Sequence, residues 1–82
     1  MASKTVSVRY FAALREQRGL SEESRQTVAE TPAELYEELK AEFGFSLRRD
    51  QLRVATNSSY VEMNSPLKEG DVLTFIPPVA GG

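Results

Sequence analysis

Alternation of hydrophobic and polar residues marks the first structured segment of the chain. In residues 4–10, Val6, Val8 and Tyr10 occupy every second position and polar residues stand between them. A period of two is typical of a strand with one buried face. Similar segments follow later in the chain, at residues 25–29, 51–56, 60–63 and 72–77. The segment at 25–29 is a weaker strand candidate, with Val28 as its main apolar residue.

A different period predicts one main helix in the middle of the chain. Leu35, Leu39 and Phe43 recur every four residues and would form a single apolar stripe on a helix. Thr31 stands where a helix N-cap is expected, and Glu34 follows three residues later with the spacing of a capping box. The pattern therefore predicts a helix that packs one side against a sheet.

The order of these elements predicts the fold class. A short helix over residues 11–18 is expected to end at Gly19, and the polar residues 21–24 are expected to form a loop. The full order is strand, short helix, strand, main helix and then three strands. This predicts an α+β domain over residues 1–76, with a mixed sheet of four to five strands around one main helix, followed by a flexible tail over residues 77–82.

Composition narrows the chemistry that the side chains can supply. The 82 residues include 10 basic and 12 acidic side chains, for a net charge of −2, and neither cysteine nor histidine occurs. This excludes disulfides, thiolate nucleophiles and histidine as a general base or metal ligand. No basic run favours nucleic acid, and no segment approaches the roughly 20 apolar residues of a membrane span. We expect a cytoplasmic protein that binds no metal or cofactor itself.

Strand parity predicts a second, uncovered face of the sheet. One helix can cover only one face, and Leu73 and Phe75 of the last strand are the natural core residues. Phe11, Ile76 and Tyr60 would then lie on the opposite face as an apolar patch. Such patches often mark partner sites. The alternative, in which these residues fill the sheet edge of a single core, stays open on parity alone.

The chain ends in an unusual tail without bulky side chains. Its residues are Pro77, Pro78, Val79, Ala80, Gly81 and Gly82. Two prolines favour an extended root, and two glycines would let the end enter a narrow site in a partner. The only distinctive reactive group there is the carboxylate of Gly82, which an ATP-using partner could activate as an acyl-adenylate. The simpler alternative is a frayed terminus.

Four stretches carry a resemblance to a known family: VRYFAALRE at residues 8–16, TPAELYEEL at residues 31–39, ATN at residues 55–57 and PLKEGDVLTFIPPVAGG at residues 66–82. Together they resemble the small subunit of molybdopterin synthase, a ubiquitin-like sulfur carrier. The resemblance implies a β-grasp fold. It also implies three partners: an adenylating enzyme that uses ATP and magnesium, a sulfur donor linked to a cysteine desulfurase, and the large synthase subunit in a heterotetramer.

The resemblance also assigns residue roles. Gly82 would be the reacting (catalytic) residue, adenylated and then converted to a thiocarboxylate that gives sulfur to a cyclic pterin precursor. Phe11, Arg15, Tyr60 and Ile76 fall where the family contacts its partners, and the tail would insert into the large subunit. Tyr60 replaces the aliphatic residue expected at its position.

Two other functions share the same terminal chemistry. A ubiquitin-like modifier would be conjugated to lysines through Gly82. A sulfur carrier for another product, thiamin or thiolated tRNA, would form the same thiocarboxylate.

Overall fold

Strands and helices follow one another along the chain in the predicted order. The structure, a computed structural model, describes residues 3–78. Its elements are β1 (Lys4–Tyr10), α1 (Ala12–Arg18), β2 (Glu22–Thr27), α2 (Pro32–Phe43), β3 (Arg53–Thr56), β4 (Ser59–Val61) and β5 (Val72–Ile76), with a short 3-10 helix at Arg49–Gln51 before β3. The predicted α+β class is confirmed.

The strands form one mixed sheet with the last strand at its centre. The spatial order is β2-β1-β5-β3-β4, in which β1 and β5 are parallel and the other neighbours are antiparallel. Tyr10 lies beside Phe75 across the parallel pair, and Arg53 lies beside Ile76 on the other side of β5. Because β5 has a hydrogen-bonded neighbour on each side, both ends of this strand are fixed in position.

The core fills the space between α2 and one face of the sheet. Its most deeply buried members, at 0–1% exposure, include Val6, Val8, Tyr10, Leu35, Tyr36, Leu39, Leu73 and Phe75. The Tyr36 ring lies 5.4 Å from the ring of Phe75 and 6.0 Å from the ring of Phe45, between centroids. The predicted inward residues of β1 and β5 are therefore confirmed. In the predicted α2 stripe Leu35 and Leu39 are buried, and Phe43 is partly buried. Burial raises the pKa of Tyr36 to about 12, because the ionised phenol would lose its hydration.

Both ends of α2 are closed by the residues that the sequence indicates. The Thr31 hydroxyl accepts a hydrogen bond from the Glu34 N–H at 3.2 Å. The Glu34 carboxylate accepts from the N–H of Glu30 at 2.9 Å, one residue earlier than in a standard capping box. At the other end Gly44 adopts φ +72°, a left-handed conformation that glycine takes without strain.

The second strand differs from the prediction. β2 spans Glu22–Thr27, so most of the expected loop at residues 21–24 is strand, and Val28 lies after the strand with 45% of its surface exposed. The residues that β2 turns toward the covered face are Glu23, Arg25 and Thr27, which are polar. A prediction based on hydropathy missed these residues. A polar side chain can lie on a covered face when a partner satisfies its hydrogen bonds.

Glu23 shows how that satisfaction is achieved. Its carboxylate accepts a hydrogen bond from the Tyr10 hydroxyl at 2.6 Å and two from the Arg18 guanidinium at 2.8 Å each. The same guanidinium lies 4.0 Å from the centroid of the Phe43 ring. Hydrogen bonds from Arg18, with a smaller contribution from Tyr10, lower the pKa of Glu23. Burial raises the pKa of Tyr10, and the bond to Glu23 adds to that effect. One carboxylate thus joins β1, α1 and β2.

Candidate functional site

We call the face of the sheet opposite α2 the open face. Positions turned toward it include Arg9 of β1, Val72, Thr74 and Ile76 of β5, Arg53 and the buried Ala55 of β3, and Tyr60 of β4. Arg9, Thr74, Ala55 and Tyr60 are register partners and form one row across four strands. Strand parity therefore predicted this face correctly.

Phe11 stands at the top of β1, between the strand and α1. Its backbone is still extended, at φ −123° and ψ 149°, so its side chain takes the side opposite Tyr10 and is 49% exposed. Ala12 then adopts φ +52°, a left-handed conformation uncommon for a residue with a Cβ atom, and this turns the chain into α1. Phe11 is the N-cap of α1, but its side chain makes no capping hydrogen bond.

Arg15 lies one helical turn after Phe11. Residues four apart on a helix share a face, and the Arg15 N–H donates to the Phe11 carbonyl at 3.4 Å. The Arg15 side chain is exposed and has no carboxylate within 4.0 Å among residues 3–78. The structure thus places Arg15 beside Phe11, which parity alone did not predict.

The end of β5 brings the remaining predicted residues together. Ile76 is half-buried, Pro77 is buried and Pro78 is exposed. A shallow cleft of about 330 Å³ surrounds them, lined by Gln51, Arg53, Tyr60, Ile76, Pro77 and Pro78. Tyr60, at 67% exposure, is the most exposed of the large hydrophobic side chains. Val79, Ala80, Gly81 and Gly82 lie outside the described residues, so their roles and the division at residue 76 stay predictions.

Arg53 is a residue of this region that the sequence prediction did not include. Its guanidinium carbon lies 6.0 Å from the centroid of the Tyr60 ring, at the outer limit of a cation–π contact. It also lies directly across from Ile76 in the β3–β5 pairing. The sequence does indicate the direction of this side chain. Alternation in residues 51–56 turns Leu52 and Val54 inward and Arg53 outward.

The described residues form a contact surface on this face. Within residues 3–78, no group of three or more acidic residues is arranged to hold a metal ion. No helix in that range is long and apolar enough to cross a membrane. The distinctive feature is instead geometric: the central strand of the sheet leads into the tail at the margin of the open face.

Comparison with known proteins assigns the chain to a family. A model described as the ThiS family matches residues 8–82. The chain belongs to the ThiS family. A relative from Drosophila melanogaster, named molybdopterin synthase sulfur carrier subunit, is 40% identical to this ThiS-family chain over 94% of this chain and 90% of the relative. The resemblance that the sequence motifs carry is thereby confirmed.

Solved structures similar to this ThiS-family chain confirm the ubiquitin-like β-grasp fold. A putative molybdopterin converting factor subunit 1 from Pyrococcus furiosus superimposes with a TM-score of 0.73 at 30% identity, covering 93% of this chain and 99% of that one. A chain from a complex of subunits 1 and 2 of the molybdopterin-converting factor of Helicobacter pylori gives a TM-score of 0.63 at 32% identity, covering 95% and 99%.

Proposed function

We propose that this chain is the sulfur carrier subunit of a molybdopterin synthase and that the carboxylate of Gly82 carries the sulfur. The observation that supports this most is the exit of the central strand β5 into Pro77 and Pro78, beside Tyr60, in a chain whose family match extends to residue 82. The relative named molybdopterin synthase sulfur carrier subunit, alike over 94% of the chain, supports the same role.

The first chemical step is activation of Gly82 by an adenylating partner. A carboxylate resists nucleophiles because the group that would leave is oxide. One carboxylate oxygen attacks the α-phosphate of magnesium-bound ATP, and pyrophosphate leaves. A sulfur nucleophile from a donor linked to a cysteine desulfurase then attacks the acyl carbon, and AMP leaves. The donor carries this sulfur as a persulfide, so the product of the attack is an acyl disulfide. A thiol then attacks the donor-side sulfur, a disulfide forms on the donor side, and the Gly82 thiocarboxylate leaves.

The second step is transfer of that sulfur in the large subunit. The thiocarboxylate sulfur attacks a carbon of the cyclic pterin precursor held there and displaces an oxygen substituent from it. Water then cleaves the acyl–sulfur bond, which leaves the sulfur on the precursor and restores the Gly82 carboxylate for another cycle. Two such cycles supply the two sulfurs of the dithiolene group. The Helicobacter pylori complex of subunits 1 and 2 supports a large subunit as partner of this chain.

The described residues suit this role by placing the root of the tail. β5 is held by β1 on one side and by β3 on the other, and Ile76 at its end pairs with Arg53 of β3. From Pro78 the four remaining residues reach about 13 Å when extended at roughly 3.3 Å each. That length can carry the Gly82 carboxylate into a recessed site while Phe11, Tyr60 and Ile76 remain at the surface of the partner.

The experiment that tests this role is a reconstituted synthase assay with altered chain ends. Deletion of Gly82, or addition of one residue after it, should abolish formation of the dithiolene product and leave the thermal unfolding midpoint unchanged. An extended chain that keeps its extra residue and still supports product formation would contradict the proposal. Gly82-dependent adducts on other proteins, found without any product formation, would favour the modifier function instead.

A further inference from the structure

The arginines of the described chain divide by the face on which they lie. Four have a carboxylate oxygen within 4.0 Å, and for most of them that carboxylate belongs to β2 or α2: Arg18, Arg25, Arg48 and Arg49. Arg9, Arg15 and Arg53 have no such oxygen within residues 3–78. Arg9 and Arg53 belong to the open face, and Arg15 lies beside it on α1. The arginines without such a carboxylate therefore lie on or beside the open face.

Arg53 lines two surface clefts. With Tyr60 it lines the cleft at the root of the tail, and the same pair lines a second cleft along β4. Glu62 also lines the second cleft, yet its carboxylate does not come within 4.0 Å of Arg53. The guanidinium carbon instead lies 6.0 Å from the centroid of the Tyr60 ring. Arginine and tyrosine are two of the residue types that contribute most to binding energy at protein interfaces.

Arg9 lies at the other end of the row that includes Tyr60. The row crosses β1, β5, β3 and β4, so Arg9 and Tyr60 are three strand spacings apart, about 14 Å at roughly 4.8 Å each. Glu22 is the register partner of Arg9 on β2, but the two charged groups are more than 4.0 Å apart. Between Arg9 and Tyr60 the row holds Thr74 and Ala55, whose side chains are short.

We propose that Arg9 and Arg53 each bind a carboxylate of a protein partner that docks on the open face. Apolar contact comes from Ile76, on the strand between the two arginines, and from Tyr60, on the outer strand beside Arg53. The proposal rests on the proposed function and deepens it: the partner is the large synthase subunit, with acidic side chains placed to meet both arginines. Neither arginine belongs to the partner set that the family resemblance implied.

Desolvation explains how such a pair would select the partner. An arginine covered by a surface without a carboxylate loses its hydration and gains nothing in return, which costs free energy. A surface with acidic groups at both positions recovers that cost through charge-assisted hydrogen bonds. Since the whole chain has a net charge of −2, this discrimination comes from the two local cations and not from overall charge.

Arginine suits these positions better than lysine would. Its planar guanidinium can stack on an aromatic ring and still present parallel N–H groups to a carboxylate. We therefore expect the Tyr60 ring to assist carboxylate binding through Arg53 in addition to its own apolar contact.

The test is calorimetric titration of the full-length chain with the large subunit from the same organism. Arg53→Glu and Arg9→Glu should each weaken binding about tenfold or more, because they bring like charges together. Arg49→Glu is the matched control, with the same change in net charge on an arginine that faces Glu37 of α2, and should change binding by less than about twofold. Arg53→Lys should retain part of the affinity and Tyr60→Phe nearly all of it.

Salt dependence provides a second readout. Association of the unaltered chain should weaken as salt rises, and the dependence should be smaller in Arg53→Glu. Equal affinities for Arg9→Glu, Arg53→Glu and Arg49→Glu, with equal salt dependence, would overturn the inference while leaving the sulfur-carrier function intact. An unaltered chain that does not bind the large subunit at all would overturn both.

Discussion

The two faces of the sheet are built from the same strands, yet they differ in how their side chains are satisfied. On the face covered by α2, Tyr10 and Arg18 both bond to Glu23, and the apolar side chains are almost fully buried. On the open face, Arg9 and Arg53 have no carboxylate partner among residues 3–78. The difference indicates that one face maintains the fold while the other is left for a partner.

The largest effect on stability should come from the covered face. Leu39→Ala removes a fully buried side chain and should lower the free energy of unfolding by about 2–5 kcal/mol. Urea denaturation measures this change. Affinity for the large subunit, corrected for the folded fraction, should not change.

Ile76→Ala is the matched variant on the open face. Ile76 is only half-buried, so the loss of stability should be smaller than for Leu39→Ala, while affinity for the large subunit falls. If both variants lose stability equally and neither loses affinity, the assignment of folding to the covered face and of partner binding to the open face is wrong.

Phe11→Asp should separate binding from stability more sharply. A charge in place of an apolar anchor should weaken large-subunit binding about tenfold or more. Aspartate is also a good N-cap, and Phe11 occupies the N-cap of α1 without a capping bond, so stability should stay the same or rise by about 1 kcal/mol. Thermal unfolding and calorimetric titration of the same sample measure both. Parallel losses would place Phe11 in the core.

A smaller effect on stability is expected from replacing Glu23, whose carboxylate lies on the covered face. The pKa of Glu23 is lowered in the folded state, so its ionisation stabilises the fold above the unfolded pKa of about 4.3 and that contribution is lost as pH falls through the lower folded pKa. Glu23→Gln should cost about 1–2 kcal/mol at pH 7, since hydrogen bonds to a charged group contribute the most. Below about pH 4 the difference from the unaltered chain should narrow.

Urea denaturation at pH 7 and at pH 3 measures this dependence. A difference between Glu23→Gln and the unaltered chain that is the same at both pH values would show that the charge of Glu23 does not contribute. Affinity for the large subunit at pH 7 should be unaffected, because Glu23 lies on the covered face.

The sequence predicted those elements whose pattern is set by hydrophobic burial. β1, α2 and β5 have clear periods of two or four, and their inward residues are the ones that the structure buries. β2 was placed too late in the chain because Glu23, Arg25 and Thr27 meet polar partners from other elements, and one-dimensional hydropathy contains no information on such partners.

The residues of the candidate site also divide into those that the sequence predicted and one that it missed. Parity placed Tyr60 and Ile76 on the open face, and family resemblance added Arg15. Arg53 was missed because its significance comes from its neighbours: it needs both the ring of Tyr60 and the register that sets it beside Ile76. Such contacts between strands become visible only when the pairing of the strands is known.

The central claim is that Gly82 carries sulfur, and the mass of the intact chain tests it most directly. After incubation with the adenylating enzyme, ATP, magnesium and a sulfur donor, the chain should gain about 16 Da, the difference between sulfur and oxygen. The gain should disappear when Gly82 is deleted or when ATP is withheld. An unchanged mass under conditions in which the adenylating enzyme modifies another carrier would contradict the account.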